Sequence, residues 1–343
     1  MRSLPLIAAA FAVAATATAT PALAQDTLAT VTERGYLNCQ VGLPTPGFYQ
    51  LADDGTWSGL DVDVCRAIAA VIFDDPSKVE FQSVTSAVRF TALANAESDV
   101  LSRTTTWTAV RDTQLGLDFT AINFYDGQGF MVAKESGISS ALELDGATVC
   151  VLTGTTTELN LADYFRANGM EYTPVTNENV NVLMEQYLSG GCDVYTNDKS
   201  GLAARRSALP SPDNHVILPE TVSKEPLGPV VRQGDDAWGN LVRWIMFGRL
   251  EAEELGVTST NIDEMVGNPP SPNVARLLGV EGNIGEGLGV VPDFMVRVIK
   301  AVGNYGEGYE NHVGANTPIG IPRDGSLNAL WTKGGIMYAP PFR

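Results

Sequence analysis

Motifs for catalysis and for metal binding are scarce in this 343-residue chain. It carries two histidines, His215 and His312, and four cysteines, Cys39, Cys65, Cys150 and Cys192. No Cys-x-x-Cys occurs and neither histidine lies near a cysteine, which argues against a zinc site or any other metal. No Gly-x-Ser-x-Gly is present, and neither histidine has a serine or cysteine nucleophile motif beside it, so hydrolase chemistry has no anchor. Positive charge is also short: 22 Lys and Arg stand against 40 Asp and Glu, for a net charge of −18. Without a basic cluster there is nothing to release condensed counterions, which excludes nucleic acid and anionic membrane surfaces as partners. Past the N-terminus no stretch approaches 18 continuous apolar residues, so no membrane insertion is expected. Repeats of short period and low-complexity segments are absent.

What is there begins with an export signal. Arg2 supplies a short positive region, Leu4 to Ala15 is apolar or small, and Ala22-Leu23-Ala24 is a small-x-small cleavage site before Gln25. Residues 1–24 are therefore expected to be removed, leaving an exported chain. An even number of cysteines in such a chain favours disulfides. Three pairings are open from the sequence. The local one, Cys39–Cys65 with Cys150–Cys192, keeps each bridge within one half of the chain and is preferred.

Periodicity predicts alternating strands and helices. Tyr36 to Gly42 is a strand, Asp61 to Phe73 a helix with apolar residues at three- and four-residue spacing, and Val79 to Phe81 a strand. A helix from Arg89 to Ala96 precedes a strand at Asp99 to Leu101. Ala147 to Val151 is a strand, and Glu158 to Asn168 a helix closed by Gly169. A helix over Val180 to Leu188 and a strand over Cys192 to Thr196 follow. Strands alternating with helices imply the α/β fold class with a largely parallel sheet. Asn123 to Val132 and Leu218 to Val231 read as crossings between two lobes. Asp236 to Leu255 is a long helix with a core-facing apolar stripe, and the Gly-, Pro- and Asn-rich tail beyond about 258 shows helical character around Phe294 to Val302. Asp61 and Asp63, at a helix start, read as first-turn charges that favour the helix dipole.

Two clusters of donors stand out. Thr104-Thr105-Thr106-Trp107-Thr108-Ala109-Val110-Arg111 sets a guanidinium just past four hydroxyls, and Arg grips a carboxylate with two parallel hydrogen bonds. A threonine-rich turn with a solvated arginine is the plainer alternative. Gly154-Thr155-Thr156-Thr157-Glu158 places a capping box at a helix N-terminus, where free N–H groups attract anions; capping alone would account for it. Asp198 follows a strand end, where its carboxylate can accept from an ammonium group or pair with Lys199. Together these describe a socket for a small zwitterion.

Gly42 to Phe48, Gly59 to Val64, Arg103 to Arg111, Gly154 to Thr156 and Cys192 to Asp198 occur in the order seen in solute-binding proteins of polar amino-acid ABC transporters. Gly116 to Phe119, Asn123 to Phe130 and Lys224 to Pro229 resemble the branch for acidic, amide or general amino acids. The resemblance covers essentially the whole mature chain. It implies a two-lobed periplasmic-binding-protein type II fold, with mixed sheets, helices on both faces and a hinge of two crossing segments: residues 25–128 as the first part of lobe 1, 129–227 as lobe 2, and 228–343 as the return to lobe 1 and a C-terminal extension. It implies a monomeric periplasmic protein that binds L-amino acids, without a cofactor, and delivers them to a membrane permease. By position Arg111 matches the carboxylate-binding arginine, Thr106 and Thr156 (with Thr108 and Thr155 beside them) the hydroxyl and amide donors, and Asp198 the ammonium acceptor. Arg89 and Phe90 match the side-chain end of the pocket, and Phe48 or Tyr49 the aromatic cover. The same fold hosts exported dehydratases, so an enzyme acting on an amino-acid-like substrate is the alternative; a sensor module would need a signalling domain or anchor.

Overall fold

The computed structural model describes residues 26–343. The expected signal and its cleavage point lie outside the described residues. After a helix over Thr27–Arg34 come β1 (Leu37–Val41), β2 (Gln50–Leu51), β3 (Trp57–Ser58), the helix Leu60–Phe73, β4 (Val79–Ser83), the helix Arg89–Ala94, β5 (Val100–Leu101) and β6 (Leu117–Phe119). The chain then crosses through β7 (Phe124–Asp126) into β8 (Gln128–Ala133), β9 (Thr148–Leu152), β10 (Thr173–Asn177), β11 (Val194–Asp198) and β12 (His215–Ile217). It returns through β13 (Glu225–Leu227) to β14 (Val230–Arg232). Two five-stranded mixed sheets result, ordered β4-β1-β5-β14-β6 and β10-β9-β11-β8-β12. Each is parallel on one side and antiparallel on the other: β8 runs against β11 and β12, and β14 against β5 and β6. The crossings β7 and β13 pair antiparallel, with Glu225 opposite Asp126, and form the hinge ribbon between lobes.

Helix Leu60–Phe73 shows why the lobe 1 sheet and the tail belong together. Its residues from Leu60 to Cys65 are all buried, because β1 covers one side and the helix Phe294–Val302 another. Val64 and Ile68 share one core with Leu241 and Ile245 of the helix Asp236–Glu254, and with Phe294, Val298 and Ile299. Each such side chain contributes about 1.5–3 kcal/mol when fully buried. Gly59, which starts the helix at φ 136°, is needed there: a Cβ would stand 2.3 Å from the Phe48 carbonyl oxygen. The loop bearing Phe48 is thereby pressed onto the helix start.

Asp61 and Asp63 do stand in the first turn of this helix, as expected. Both are buried. Asp63 Oδ2 faces His312 Nε2 at 3.0 Å and the fully buried Arg249 at 3.6 Å, so it ties the tail to the core. The tail is also more helical than its composition suggests, with helices at Ile262–Gly267, Pro272–Leu277, Ile284–Gly287, Phe294–Val302 and Tyr305–His312. The preferred cysteine pairing is the one present: Cys39–Cys65 joins β1 to the helix over it, and Cys150–Cys192 joins β9 to the start of β11. Among the described residues no helix is long and apolar enough to cross a membrane.

Candidate functional site

The Thr104–Arg111 stretch is held by two elements that distant sequence supplies. Asp61 accepts from the Thr104 N–H at 2.8 Å and from Asn123 Nδ2 at 3.1 Å. That bonding holds Thr104 at φ 42°, a left-handed conformation rare for threonine. Burial pushes the Asp61 carboxyl up to about 6 even so, the hydrogen bonds from Thr104 and Asn123 opposing it. On its other edge the loop is sewn to β13: Thr106 bridges Leu227, the Trp107 N–H donates to Pro226 O at 2.8 Å, and the Gly228 N–H to Thr105 O at 3.0 Å.

The loop forms one wall of a cleft between the lobes. From lobe 1 come Phe48, Tyr49, Arg89, Arg103, Thr104 and Thr106; from lobe 2 come Thr155, Thr156, Glu178, Asn197, Asp198 and Arg205. The lobes touch across it. Arg205 donates to Thr45 Oγ1 at 2.6 Å, and a Cβ on Gly154 would stand 3.0 Å from the Ala87 Cα. Thr155 is the N-cap of the helix Thr156–Ala167, accepting from the Glu158 N–H, while the Glu158 carboxylate reaches back to the Gly154 N–H. The helix therefore starts two residues before the expected Glu158 and points its first turn into the cleft.

Of the residues singled out in the sequence, Phe48, Arg89, Thr106, Thr155, Thr156 and Asp198 line this cleft. Thr108 and Arg111 do not. Thr108 is spent as the N-cap of the helix Ala109–Gln114. Arg111 stands behind Thr106, donating to its carbonyl oxygen at 2.8 Å and lying 5.1 Å over the Phe90 ring. Burial pulls Arg111 down to about 10, against the opposing charges of Glu225 and Asp198. Arg89 lies on the same ring at 4.6 Å, and burial with Arg103 and Arg111 nearby lowers it well below its ordinary value. Asp198 does not pair with Lys199, whose Nζ turns to Pro219 O and Thr221 Oγ1. Burial raises the Asp198 carboxyl well above the ordinary range, and Asp126 and Glu225 add to that.

Two cleft arginines, Arg103 and Arg205, and the buried Glu225 beside Thr106 and Thr156 escaped the sequence reading. Arg103 lines the cleft, holds Ser86 Oγ at 3.1 Å and leaves its buried Nε without a hydrogen-bond partner. It lies at the head of the very motif that ends in Arg111, which drew the attention. Arg205 contributes a third guanidinium. Glu225, on β13, is buried and receives the Thr106 and Thr156 hydroxyls on one oxygen, at 2.5 and 2.9 Å. No local signal marks it, since its role exists only once the crossing lies beside the loop.

A cleft with guanidinium groups, a helix N-terminus and the acids Glu178 and Asp198 at the junction of two hinged lobes suits a small ligand carrying both charges. Residues 40–255 match the family of bacterial extracellular solute-binding proteins, family 3. The chain is 52% identical over 322 residues to the glutamate/glutamine/aspartate/asparagine-binding protein BztA of Rhodobacter capsulatus, covering 94% of this chain and 95% of that one. It is 50% identical over 340 residues to the general L-amino acid-binding periplasmic protein AapJ of Rhizobium johnstonii, covering 98% and 99%. A solved periplasmic binding protein of an ABC transporter from Brucella ovis, with glutathione bound, superposes with a TM-score of 0.90 at 52% identity, over 93% of this chain and all of that one. These relatives are named as binding proteins, not enzymes. The chain belongs to the bacterial extracellular solute-binding proteins of family 3.

Proposed function

We propose that this protein captures L-amino acids in the periplasm, acidic and amide ones best, and delivers them as a monomer to the membrane permease of an ABC transporter. The signal would be cleaved after Ala24. The observation that carries the reading is that the Asp198 carboxyl stands in one cleft with the guanidinium groups of Arg89, Arg103 and Arg205, Glu178 being the other acid of its lining. Asp198 takes the α-ammonium. The α-carboxylate goes to Arg103, backed by Arg111, and to the free backbone N–H groups in the first turn of the helix Thr156–Ala167, capped by Thr155. The side chain extends towards Arg89 under Phe48. Lobe closure then desolvates a ligand whose every charge has a partner, which is the condition for burial to be favourable.

A second reading enlarges the ligand. The Brucella ovis relative has glutathione bound, and a γ-glutamyl peptide carries the α-ammonium and α-carboxylate of glutamate plus a distant second carboxylate. Arg205, at the lobe 2 rim, is a partner for that group. Calorimetry with the common L-amino acids and with glutathione tests both. Tight binding of glutamate, glutamine, aspartate or asparagine supports the first reading, and binding of lysine or arginine above all others would sink it. Glutathione outcompeting glutamate would favour the second.

A further inference from the structure

The bonds of the Glu225 side chain reach both lobes and the hinge. Its Oε2 accepts from Thr106 Oγ1 of lobe 1 at 2.5 Å and from Thr156 Oγ1 of lobe 2 at 2.9 Å. Its Oε1 accepts from Asn160 Nδ2, one turn further along the same lobe 2 helix, at 2.7 Å, and from Ser223 Oγ beside the hinge at 2.6 Å. The residue is 1% exposed, so water does not compete for these bonds. Thr106 Oγ1 and Thr156 Oγ1 are themselves 3.3 Å apart, which places the two lobes in contact through this one carboxylate oxygen.

A hydroxyl has one proton to give and two lone pairs to receive with. A carboxylate can only accept. Both threonine protons therefore point at Glu225, and what the two hydroxyls offer to the cleft is lone pairs. That reverses the role that spacing alone suggests for them, as donors to a ligand carboxylate. We propose that Glu225 is a positioning residue that sets the polarity of the cleft: by taking both threonine protons it turns Thr106 and Thr156 into acceptors for a ligand ammonium, and it makes that polarity conditional on the lobes being closed. The condition follows from geometry, since Oε2 can bind both hydroxyls only while lobe 1 and lobe 2 meet at the hinge strand. The inference rests on the amino-acid-binding reading above.

The replacement Glu225→Gln is nearly isosteric and tests it. Asn160 Nδ2 can only donate, so it keeps the amide oxygen at the Oε1 position; the N–H₂ then stands at the Oε2 position, meets both threonine hydroxyls as a donor, and turns their protons back towards the cleft. The readout is the ratio of affinities for L-glutamate and for 2-hydroxyglutarate, which differ in ammonium against hydroxyl. The wild type is expected to prefer glutamate strongly, and E225Q to lower that ratio about tenfold, the worth of one hydrogen bond to a charged group. An overall loss of fold or packing would weaken both ligands alike and leave the ratio unmoved, and an unmoved ratio overturns the proposal. A wild type that binds no amino acid overturns the parent reading, and this inference with it. Should E225Q fail to fold by circular dichroism, Thr156→Val and Thr156→Ser decide. The serine variant should keep the ratio and the valine variant lower it. Equal ratios in the two variants would overturn the proposal.

Discussion

Asn328 brackets Tyr125. The Tyr125 N–H donates to Asn328 Oδ1 at 2.7 Å, and Asn328 Nδ2 donates to the Tyr125 carbonyl oxygen at 2.9 Å. Tyr125 is the middle residue of β7, whose other edge pairs with β13, so the tail side chain acts as a third strand on the hinge ribbon. Tyr305 adds a bond from its hydroxyl to Asn123 O at 2.8 Å. Both grips come from residues beyond the stretch 40–255 that matches the family. The tail is a brace on the hinge.

Replacing Asn328 with Ala should therefore cost about 1–3 kcal/mol, since it strips two partners from half-buried backbone groups. Hydrogen exchange should quicken at the Tyr125 amide before it does in the lobe cores. A thermal midpoint and a Tyr125 exchange rate equal to wild type would show that the bracket contributes nothing.

Asp198→Asn should weaken L-glutamate binding by tenfold or more, because an amide cannot neutralise an ammonium and a charged hydrogen bond is worth roughly 1.5–3 kcal/mol. Calorimetry at neutral pH measures this. Binding within twofold of wild type would remove Asp198 from the site.

Arg111→Ala should abolish detectable binding. Removing it takes away the bond to the Thr106 carbonyl and a charge that opposes Glu225 and Asp198, and stripping a buried acid of its counter-charge costs about 3–5 kcal/mol. Because Arg111 acts from behind Thr106, Arg111→Lys should restore little: an ammonium has no fixed fork to hold the Thr106 carbonyl and balance the acids together. Near-wild-type affinity in the lysine variant would count against this arrangement.

Stability should rise on mild acidification. Burial pushes Asp61 and Asp126 each to about 6, whereas an unfolded aspartate titrates near about 3.9. The folded chain thus holds more protons than the unfolded one between those values. Their contribution is fully present below about 4 and is lost as pH rises through about 6. Asp193, held low by its bonds from Thr148, pulls the other way only in stronger acid. The thermal midpoint should be higher at pH 5 than at pH 7.5, and the opposite order would contradict the burial of these two acids. Ligand affinity should move inversely, falling as pH drops, since an ammonium must displace the proton that Asp198, raised by burial, retains.

Reduction of the two disulfides should destabilise each lobe separately. Closing chain loops of this length is worth roughly 3–4 kcal/mol apiece in the entropic account, and the bridges span 26 and 42 residues. Two resolved melting steps in the reduced protein, against one in the oxidised form, are the expected calorimetric signature.

What the sequence made legible was whatever repeats within a few residues. The apolar spacing from Val62 to Ile72 defines its helix to within one residue, and Thr155 with Glu158 marks the start of another. Asp198 was visible from its place at a strand end. Long-range effects were not. Glu225 gains its role by pairing opposite Asp126 and meeting loops 119 and 69 residues away. Arg111 looked like the cleft arginine, but its own loop turns it behind Thr106 and presents Arg103 instead. The partners of the buried Asp61 are Thr104 and Asn123, and those of Asp63 are Arg249 and His312, all distant in the chain. The tail misled for a related reason: short helices in a Gly- and Pro-rich stretch owe their existence to the surface they cover, not to propensity.

The sheet orders carry one more consequence, for the order in which the molecule can be completed. Every strand of the second sheet lies between residues 128 and 217, so that lobe is one uninterrupted piece of chain. In the first sheet β14 sits between β5 and β6, and these two strands have no neighbour in common until residue 232 arrives. The helix Phe294–Val302 that covers the helix Leu60–Phe73 comes later still. Contacts of such wide separation form slowly, because their loops must close first. In a chain made from its N-terminus, the lobe begun second is the first to be finished, and the early strands wait as an open half-sheet for the last third of the polypeptide.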